Sequence, residues 1–338
     1  MSERIRIAVD AMSGDLGPRV AISAAQKFTA IYPDVDLVLV GNEQQLLKFS
    51  SVKKLSRQRI TITNATDVVA MDEDPVYALR HKKNSSMWIA INSLNNNLAD
   101  ACVSAGNTGA LLAIGKYLLK TFPGVERPAI CKAMPAELKQ TYLLDLGANT
   151  NCIAEHLYQF ALMGKILAST TTANPRIGLL NIGTESSKGT DVIKQTQELI
   201  KADLRLNYAG YVEANKIFTG DVDVIVCDGF HGNIALKASE GAARFISKKI
   251  QIIFKQNWLA RFAAFLLWPL VKQLRTELDP SLYNGAIFLG LQKVLVKSHG
   301  NANKKAFMQA LIVAREQVIQ NIPARIRLEL LNQSIPQQ

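Results

Sequence analysis

Hydrophobic and polar positions follow a repeated pattern along this chain. Six times a short apolar run rich in β-branched residues ends at a cluster of Gly, Asn, Asp, Ser or Thr. The six segments are residues 7–18, 101–111, 142–151, 178–191, 224–233 and 294–303. Buried strands that lead through small polar loops into helical stretches are typical of βαβ units. The pattern therefore predicts an α/β fold with a Rossmann-like, doubly wound and mostly parallel sheet.

The same pattern gives approximate boundaries for the elements. Strands are predicted near residues 4–9, 35–42, 59–65, 101–105, 142–146, 176–182, 208–212, 222–228 and 293–298. Helices are predicted over 19–31, after Asn42, from Pro75, around Trp88, from Gly106, over 152–168, over 191–202, from Asn233 and from Asn303, with a break at Pro323. The run NGAIFLGLQ at 284–292 is interpreted as a helix, and FPGVERPAI at 122–130 as a connection.

The polar loops are expected to share one edge of the sheet. If every strand points the same way, the carboxyl ends of the strands meet at one edge, which is where ligands bind in such folds. Free backbone N–H groups of glycine-rich loops can approach an oxyanion closely. We therefore expect the six loops to form one cleft that suits phosphate.

Composition restricts the class of protein. The chain has 338 residues, 48% of them hydrophobic, which is enough for a sizeable core. We expect a single α/β domain over 1–338 with a protruding helical insertion at 244–280. The four cysteines form no C-x-x-C pair and the four histidines have no metal-ligand spacing, so we expect reduced thiols and no metal site. The absence of a signal peptide, and of an apolar run of ~18–20 residues, predicts a cytoplasmic protein.

The net charge of +11 favours an acidic partner. Most basic residues are scattered, which argues against nucleic acid. Residues 244–275 differ because they contain several basic residues and no acidic one, and residues 258–271 within them are almost entirely apolar. Such a segment is typical of a helical hairpin in a bilayer interface. The predicted membrane-contact residues are Trp258, Leu259, Phe262, Phe265, Leu266 and Trp268. A dimer contact or a satellite core is the alternative interpretation.

Several familiar catalytic motifs are missing from the sequence. The chain has no dinucleotide fingerprint, no P-loop and no G-x-S-x-G motif, and no cysteine has an evident histidine partner. Anion-binding loops remain as the candidate chemistry. The turn 104–109 would direct the amino end of a helix at the cleft, and the segments 145–149 and 228–233 are similar. Ordinary helix caps are the alternative interpretation of all three.

Two lysines lie in loops beyond buried strands. Lys188 follows one strand beside Gly189 and is a candidate phosphate ligand, with an ordinary solvated lysine as the alternative. Lys297 and His299 occupy an equivalent place after the last strand. A lysine at the end of an apolar strand is unusual, because its charge must reach solvent or a partner.

In order along the chain, these segments resemble the bacterial phosphate acyltransferases, which form acyl phosphate from acyl-acyl carrier protein and orthophosphate. The resemblance depends on IAVDAMSGDLGP, Arg80 with Ser85-Ser86-Met87, VSAGNTGAL, Arg127-Pro128-Ala129, LDLGAN, LLNIGTESSKG, VDVIVCDGF with GNIALK and SEG, YNGAIFLGL and VKSHG. Nine motifs in register over nearly the whole chain are far more specific than any one of them. Two positions depart from the family pattern. Ser13 replaces a more usual glycine, and His231 stands where a small or β-branched residue is more common.

The resemblance implies a fold like that of isopropylmalate dehydrogenase and phosphotransacetylase, and a reaction that needs no cofactor. It implies that Lys188 stabilises charge on phosphate and on the developing oxyanion, and that Asn233 donates a hydrogen bond there. Phosphate and substrate binding are assigned by the same resemblance to Asp10, Gly14, Asp15, Ser104, Gly106, Asn107, Thr108, Gly109, Asn149, Asp228, Gly229 and His231.

The resemblance also implies partners and a cellular role. The implied partners are acyl carrier protein, orthophosphate, a membrane glycerol-3-phosphate acyltransferase, the membrane surface and a second copy of the chain. The implied role is an early step of phospholipid synthesis, at the cytoplasmic side of a membrane. The alternatives are a phosphotransacetylase-like enzyme acting on acyl-CoA, a nicotinamide-dependent decarboxylating dehydrogenase and a non-catalytic membrane adaptor. The missing dinucleotide and metal motifs argue against the dehydrogenase, and the intact Lys188 and Asn233 argue against the adaptor.

Overall fold

The computed structural model describes residues 4–49, 59–137, 139–256, 258, 259, 262, 265, 267–269 and 279–331. Its strands are β1 Ile5–Asp10, β2 Val35–Gly41, β3 Ile60–Asn64, β4 Ala101–Ser104, β5 Ala129–Met134, β6 Thr141–Leu144, β7 Arg176–Leu180, β8 Asn207–Val212, β9 Val224–Val226, β10 Ala286–Leu289 and β11 Val294–Lys297. Its α-helices are α1 Pro18–Ile31, α2 Glu43–Leu47, α3 Pro75–His81, α4 Ser86–Asn95, α5 Thr108–Leu119, α6 Ala154–Ala168, α7 Asp191–Ala202, α8 Gly229–Lys255, α9 Lys304–Ile319 and α10 Ile322–Leu331. The predicted alternation of strands and helices is confirmed, and a corner beside Pro323 separates α9 from α10.

The eleven strands of the described chain form one sheet in the order β3-β2-β1-β4-β11-β10-β5-β6-β9-β7-β8. Neighbouring strands are parallel from β3 to β11 and again from β6 to β8. Between these two halves, β10 is antiparallel to both β11 and β5, and β5 is antiparallel to β6. The sheet is therefore mostly parallel, as the sequence predicts.

The antiparallel strands β10 and β5 overturn the prediction of one shared edge. Because the direction reverses three times between β11 and β6, the strands of the second half run opposite to those of the first half. The carboxyl ends of β1, β4 and β11 therefore lie at one edge of the sheet, and those of β6, β7 and β9 lie at the other. The prediction that all six polar loops meet at a single edge is wrong.

Both antiparallel strands were misassigned from the sequence. The run 284–292, interpreted as a helix, contains β10, in which Ile287 and Leu289 enter one core layer while Phe288 enters the layer on the opposite face. A run that is buried on both faces lacks the apolar and polar alternation of a half-exposed strand, so periodicity does not separate it from a helix. β5 begins at Ala129, inside the segment interpreted as a connection, and two prolines just before it hide the strand.

Helices cover both faces of the sheet and leave its edges for the loops. On β1, Ile7 and Val9 pack with residues of α1 and α9, whereas the intervening Ala8 packs on the other face with residues of α4 and α5. The core that contains residues of α6 and α10 continues the α1 and α9 layer across the half of the sheet that begins at β6. Burying each large apolar side chain contributes about 1.5–3 kcal/mol, so these layers fix the strands and hence the positions of the loops.

Candidate active site

The residues singled out in the sequence fall into two clusters at opposite edges of the sheet. The Asp10 cluster, at the ends of β1, β4 and β11, consists of Asp10, Ser13, Ser86, Ser104 and Lys297 together with the loop 105–109. The Asp145 cluster, at the ends of β6 and β9, consists of Asp145, Asn149, Asp228, Gly232 and Asn233. Five strand spacings of about 4.8 Å, or ~24 Å along the sheet, separate β4 from β9.

Asp10 is the centre of the first cluster. Its carboxylate is fully buried and accepts hydrogen bonds from Ser86 Oγ at 2.6 Å and from Ser104 Oγ at 2.7 Å. Burial raises the pKa of Asp10, and the serine hydroxyls oppose that rise. With both oxygens occupied, Asp10 joins β1, β4 and α4 and holds the loop after β4 in place.

The turn after β1 packs directly against this loop. Ser13 Oγ accepts a hydrogen bond from Ala105 N at 3.2 Å and lies 3.3 Å from Ser104 Oγ, so the departure from glycine at this position adds a contact. Gly14 has φ of 93°, and a Cβ there would lie 3.1 Å from both Ala105 Cβ and Gly300 O. Asp15 N donates to Gly300 O at 2.8 Å. Gly14 and Asp15 therefore connect the loops after β1, β4 and β11.

Asn107 is committed to structural contacts. Its Oδ1 accepts a hydrogen bond from Ala110 N at 3.0 Å, which caps α5, and its Nδ2 donates to Met71 O at 3.0 Å and to Glu73 O at 2.8 Å. The hydrogen bonds of the Asn107 side chain are therefore those of a helix cap, which was the alternative to a role in anion binding. The amide of Asn107 thus fixes the start of α5 against the 71–73 loop.

The first turn of α5 presents free backbone donors. The N–H groups of Thr108 and Gly109 have no acceptor among the residues that the structure describes, and Thr108 is exposed. Gly106 is tightly packed, since a Cβ there would come within 2.5 Å of Met87 Cε. Free N–H groups and the helix dipole at such an end favour an oxyanion. The backbone N–H groups of Thr108 and Gly109 are therefore the candidate anion donors of this loop.

Asp145 organises the second cluster. Its carboxylate is fully buried and accepts hydrogen bonds from Ile130 N at 2.8 Å, Ala148 N at 3.2 Å, and the backbone and side-chain nitrogens of Asn149 at 2.7 and 2.9 Å. Burial raises the pKa of Asp145, and the N–H donors oppose that rise. Asn149 also donates through Nδ2 to Pro128 O at 2.8 Å. Asn149 is therefore a structural member of the cluster.

Asp228 and His231 lie together at the amino end of α8. Asp228 Oδ1 accepts hydrogen bonds from Phe230 N and His231 N, both at 2.9 Å, and its Oδ2 lies 2.7 Å from His231 Nδ1. Asp228 is therefore the N-cap of α8. His231, the second departure from the family pattern, pairs with this cap at the surface and leaves the backbone of the cluster undisturbed.

Gly229 and Gly232 allow α8 to approach the 145–149 loop closely. A Cβ on Gly232 would lie 1.9 Å from Asp145 O, and a Cβ on Gly229 would lie 2.8 Å from Gly147 Cα. Only glycine permits this approach. The contact places Asn233 beside Gly147, and the Asn233 amide makes no hydrogen bond to any described residue. Asn233 is thus a half-buried donor available to a ligand.

Lys188 lies at the same edge as Asn233, in the loop after β7, which is the strand next to β9. Its loop is held by its own backbone, with Lys188 N donating to Glu185 O at 3.0 Å and Asn181 Nδ2 donating to Lys188 O at 3.3 Å. The Lys188 ammonium is exposed and has no ion pair within the described ranges. Lys188 is therefore a free cation near the Asp145 cluster and far from the loop 106–109 of its own chain.

The apolar segment after α8 is exposed where the structure describes it. Trp258 and Phe265 are 74% and 75% exposed, and Leu259, Phe262 and Trp268 are also exposed. Leu266, predicted to contact the membrane, lies outside the described residues. In the described part of the chain, every helix is too short or too polar to cross a bilayer.

Sequence reasoning assigned no role to Ser86 or to Glu240. Nothing in the sequence marks the hydrogen bond of Ser86 to Asp10, 76 residues away. Glu240, in the middle of α8, lies 3.4 Å from Lys132 Nζ and 3.9 Å from His299 Nε2, and so links α8 to the first edge. Within the described ranges, no group of three or more His, Cys, Asp or Glu side chains is placed to hold a metal ion.

Solved structures share this fold. The chain aligns with a phosphotransacetylase from Streptococcus pyogenes at a TM-score of 0.63 and 15% identity, covering 95% of each chain. It aligns with the EutD phosphotransacetylase from Staphylococcus aureus at a TM-score of 0.60 and 15% identity, covering 93% of this chain and 94% of the other. These alignments confirm the predicted fold type.

Sequence comparison gives the family. Residues 5–325 match the family described as fatty acid synthesis protein. The phosphate acyltransferase of Cellvibrio japonicus is 58% identical over 327 residues, which cover 96% of this chain and 98% of that protein. The phosphate acyltransferase of Coxiella burnetii is 49% identical over 329 residues, covering 96% of each. The chain therefore belongs to the fatty acid synthesis protein family that includes the phosphate acyltransferases, and it is an acyltransferase that uses phosphate.

Proposed function

We propose that the enzyme forms acyl phosphate from acyl-acyl carrier protein and orthophosphate, as an early step of phospholipid synthesis. The observation that carries the proposal is the full-length similarity to phosphate acyltransferases, with Lys188 and Asn233 present and uncommitted. The net charge of +11 supports an acidic protein as the acyl donor. The product would pass to a membrane glycerol-3-phosphate acyltransferase.

The chemistry requires mainly positioning and charge stabilisation. A phosphate oxygen attacks the thioester carbonyl, a C–O bond forms, the C–S bond breaks, and the thiolate leaves with the carrier. Near neutral pH phosphate is already partly dianionic, so a strong base is unnecessary. The N–H groups of the loop 106–109 suit the phosphate, whereas Lys188 and Asn233 suit the developing oxyanion. No resident cofactor enters this scheme.

The two clusters also support a homodimer with shared sites. Within one chain, the loop 106–109 and Lys188 lie at opposite edges of the sheet, so one copy does not bring them together. We infer that each site combines the Asp10 cluster of one copy with the Asp145 cluster and Lys188 of the partner copy. A two-fold axis would produce two equivalent sites from this arrangement.

The reaction is tested by incubating the enzyme with acyl-acyl carrier protein and phosphate. We expect equal amounts of free carrier thiol and acyl phosphate, the latter trapped with hydroxylamine. Asn233→Ala should lower turnover ~10²–10³-fold, because it removes one oxyanion donor, while the melting temperature stays unchanged.

The alternatives give different outcomes in the same assay. Equal use of acyl-CoA would favour a phosphotransacetylase-like enzyme, and no acyl phosphate from either donor would favour a non-catalytic membrane adaptor. With the carrier protein as substrate, kcat/KM should fall steeply as salt is added, because the charge attraction is screened.

We further propose peripheral membrane association through the apolar segment 258–269, in which the described aromatic side chains are exposed. Trp258→Glu/Phe265→Glu should abolish flotation with anionic liposomes, because exposed aromatic side chains and nearby basic residues support binding at the interface. The matched control is Leu98→Glu/Leu204→Glu, which changes two exposed leucines elsewhere, and it should float like the wild type. Unchanged flotation of the first variant would contradict the proposal. Loss of dimerisation, measured by sedimentation, would indicate a dimer contact.

A further inference from the structure

We propose that Lys297 is a second phosphate-binding cation, placed beside the amino end of α5 by the pairing of β11 with β4. This inference rests on the proposed function and adds a residue to its phosphate site. Lys297 ends the apolar run VLVK, and in the sheet it pairs with Ser104, the last residue before the loop 105–109. The register of the strands therefore brings a lysine to the site where the phosphate would bind.

The Lys297 ammonium is only partly occupied by the protein. Nζ donates to Ser298 O at 2.7 Å and to Ala105 O at 3.1 Å. An ammonium has three N–H donors, and the third has no partner among the described residues. The bond to Ala105 O connects the β11 loop to the start of the phosphate loop, and the remaining donor is available to an oxyanion held there.

The charged groups around Lys297 leave its charge unpaired. Asp10, on β1, has both oxygens occupied by serine hydroxyls, and Asp15, in the loop after β1, forms no ion pair with the ammonium. On α8, Glu240 is directed to Lys132 of β5 and to His299. Among the described residues, no carboxylate lies within ion-pair distance of Lys297.

A largely buried cation with no carboxylate in direct contact is costly, and a bound anion lowers that cost. Burial lowers the pKa of Lys297 to about 8, and the charges of Asp10 and Asp15 oppose that shift. The positive end of α5 is directed to the same place. Phosphate bound there would interact with both the helix end and the ammonium, and would stabilise the charged form of Lys297.

The test is the pH dependence of phosphate binding, which a purely structural lysine would not change. The ammonium attracts phosphate while it is charged, and it loses its charge as the pH rises through about 8. For the wild type we expect the KM for phosphate to rise about tenfold per pH unit above 8. Lys297→Arg keeps its charge and should show no rise of the phosphate KM between pH 8 and 9.5. Lys297→Met should show a KM raised at least tenfold at pH 7, with no further rise through pH 8.

Two outcomes would overturn the proposal. One is a wild-type phosphate KM in Lys297→Met, and the other is the same rise above pH 8 in all three proteins. Titration of phosphate itself is common to all three and cancels in the comparison. If Lys297→Met melts early, Lys297→Gln is assayed instead, and calorimetric titration with inorganic phosphate measures binding without turnover. A wild type that makes no acyl phosphate would reject the proposed function, whereas an active wild type with unchanged Lys297 variants would reject only this inference.

Discussion

Replacing Lys188 with alanine is expected to lower kcat/KM for acyl phosphate formation by ~10²–10³, because one charge-stabilising group is lost from the transition state. The fold should be unaffected, since the ammonium is exposed and makes no described contact. The measurement is trapping of acyl phosphate, combined with thermal unfolding. Lys201→Ala is the matched control, because Lys201 is exposed and its one ion pair to a described residue is with Glu198 of the same helix. Near-normal activity of Lys188→Ala would reject the assigned role.

The same variant tests whether two copies share each site. Thr108→Asp should also be inactive, because its carboxylate would occupy the anion position at the start of α5, where an acidic residue is compatible with the helix. Mixing the two inactive proteins should restore about one quarter of wild-type activity, since random exchange makes half of the dimers mixed and gives each mixed dimer one intact site. If each chain carried a complete site, mixing would restore nothing.

Replacing Gly232 with alanine is expected to destabilise the protein by about 2–3 kcal/mol and to reduce turnover strongly. The new Cβ would lie 1.9 Å from Asp145 O and 2.8 Å from Cys227 Sγ. The Asp145 backbone is fixed by the hydrogen bonds of its own carboxylate, so α8 must move instead. Asn233 is the next residue and would move with the helix. Denaturant unfolding and the acyl phosphate assay measure the two effects.

Gly241 provides a control within the same helix. A Cβ at Gly241 would meet no atom within 4 Å, so Gly241→Ala should stabilise the protein by up to about 1 kcal/mol through helix propensity alone. Equal stability of the two variants would show that α8 does not depend on close contact with the 145–149 loop.

Much of the fold is predictable because its rules are local. In β1, the alternation of Ile7, Ala8 and Val9 between two core layers follows from the extended backbone, and the strand-to-helix order follows from periodicity. β10 was missed because Ile287, Phe288 and Leu289 are buried on both faces, which removes the periodic signal. The separation of the loops depends on the direction of β10 and β5, and strand direction is a long-range property with no local signal in these residues.

The sequence supplies candidate residues for the site, but it does not indicate how they are arranged. The family resemblance assigns roles to Lys188, Asn233 and the loop 106–109, yet nothing in the motifs indicates that they lie at different edges. The role of Asn107 was also undetermined by the sequence, because its amide contacts a loop 34 to 36 residues away. In contrast, the capping role of Asp228 depends on neighbours two and three residues away. A helix cap was accordingly one of the two interpretations of the segment 228–233 that the sequence supports.

The length of α8 determines how Asn233 and the exposed apolar residues at the far end of the helix are oriented relative to each other. The helix has 27 residues, which is about 40 Å at 1.5 Å per residue. Asn233 lies near its first turn, and the exposed apolar Phe245 and Ile253 lie in its second half. Inserting one residue between Asn233 and Phe245 would rotate the far end of α8 by about 100° around the helix axis. Inserting seven residues would return it to within ~20° of its original orientation. The number of residues between Asn233 and the exposed apolar side chains of α8 therefore fixes their relative orientation around the helix axis. Relatives in which this number differs should differ by multiples of seven residues.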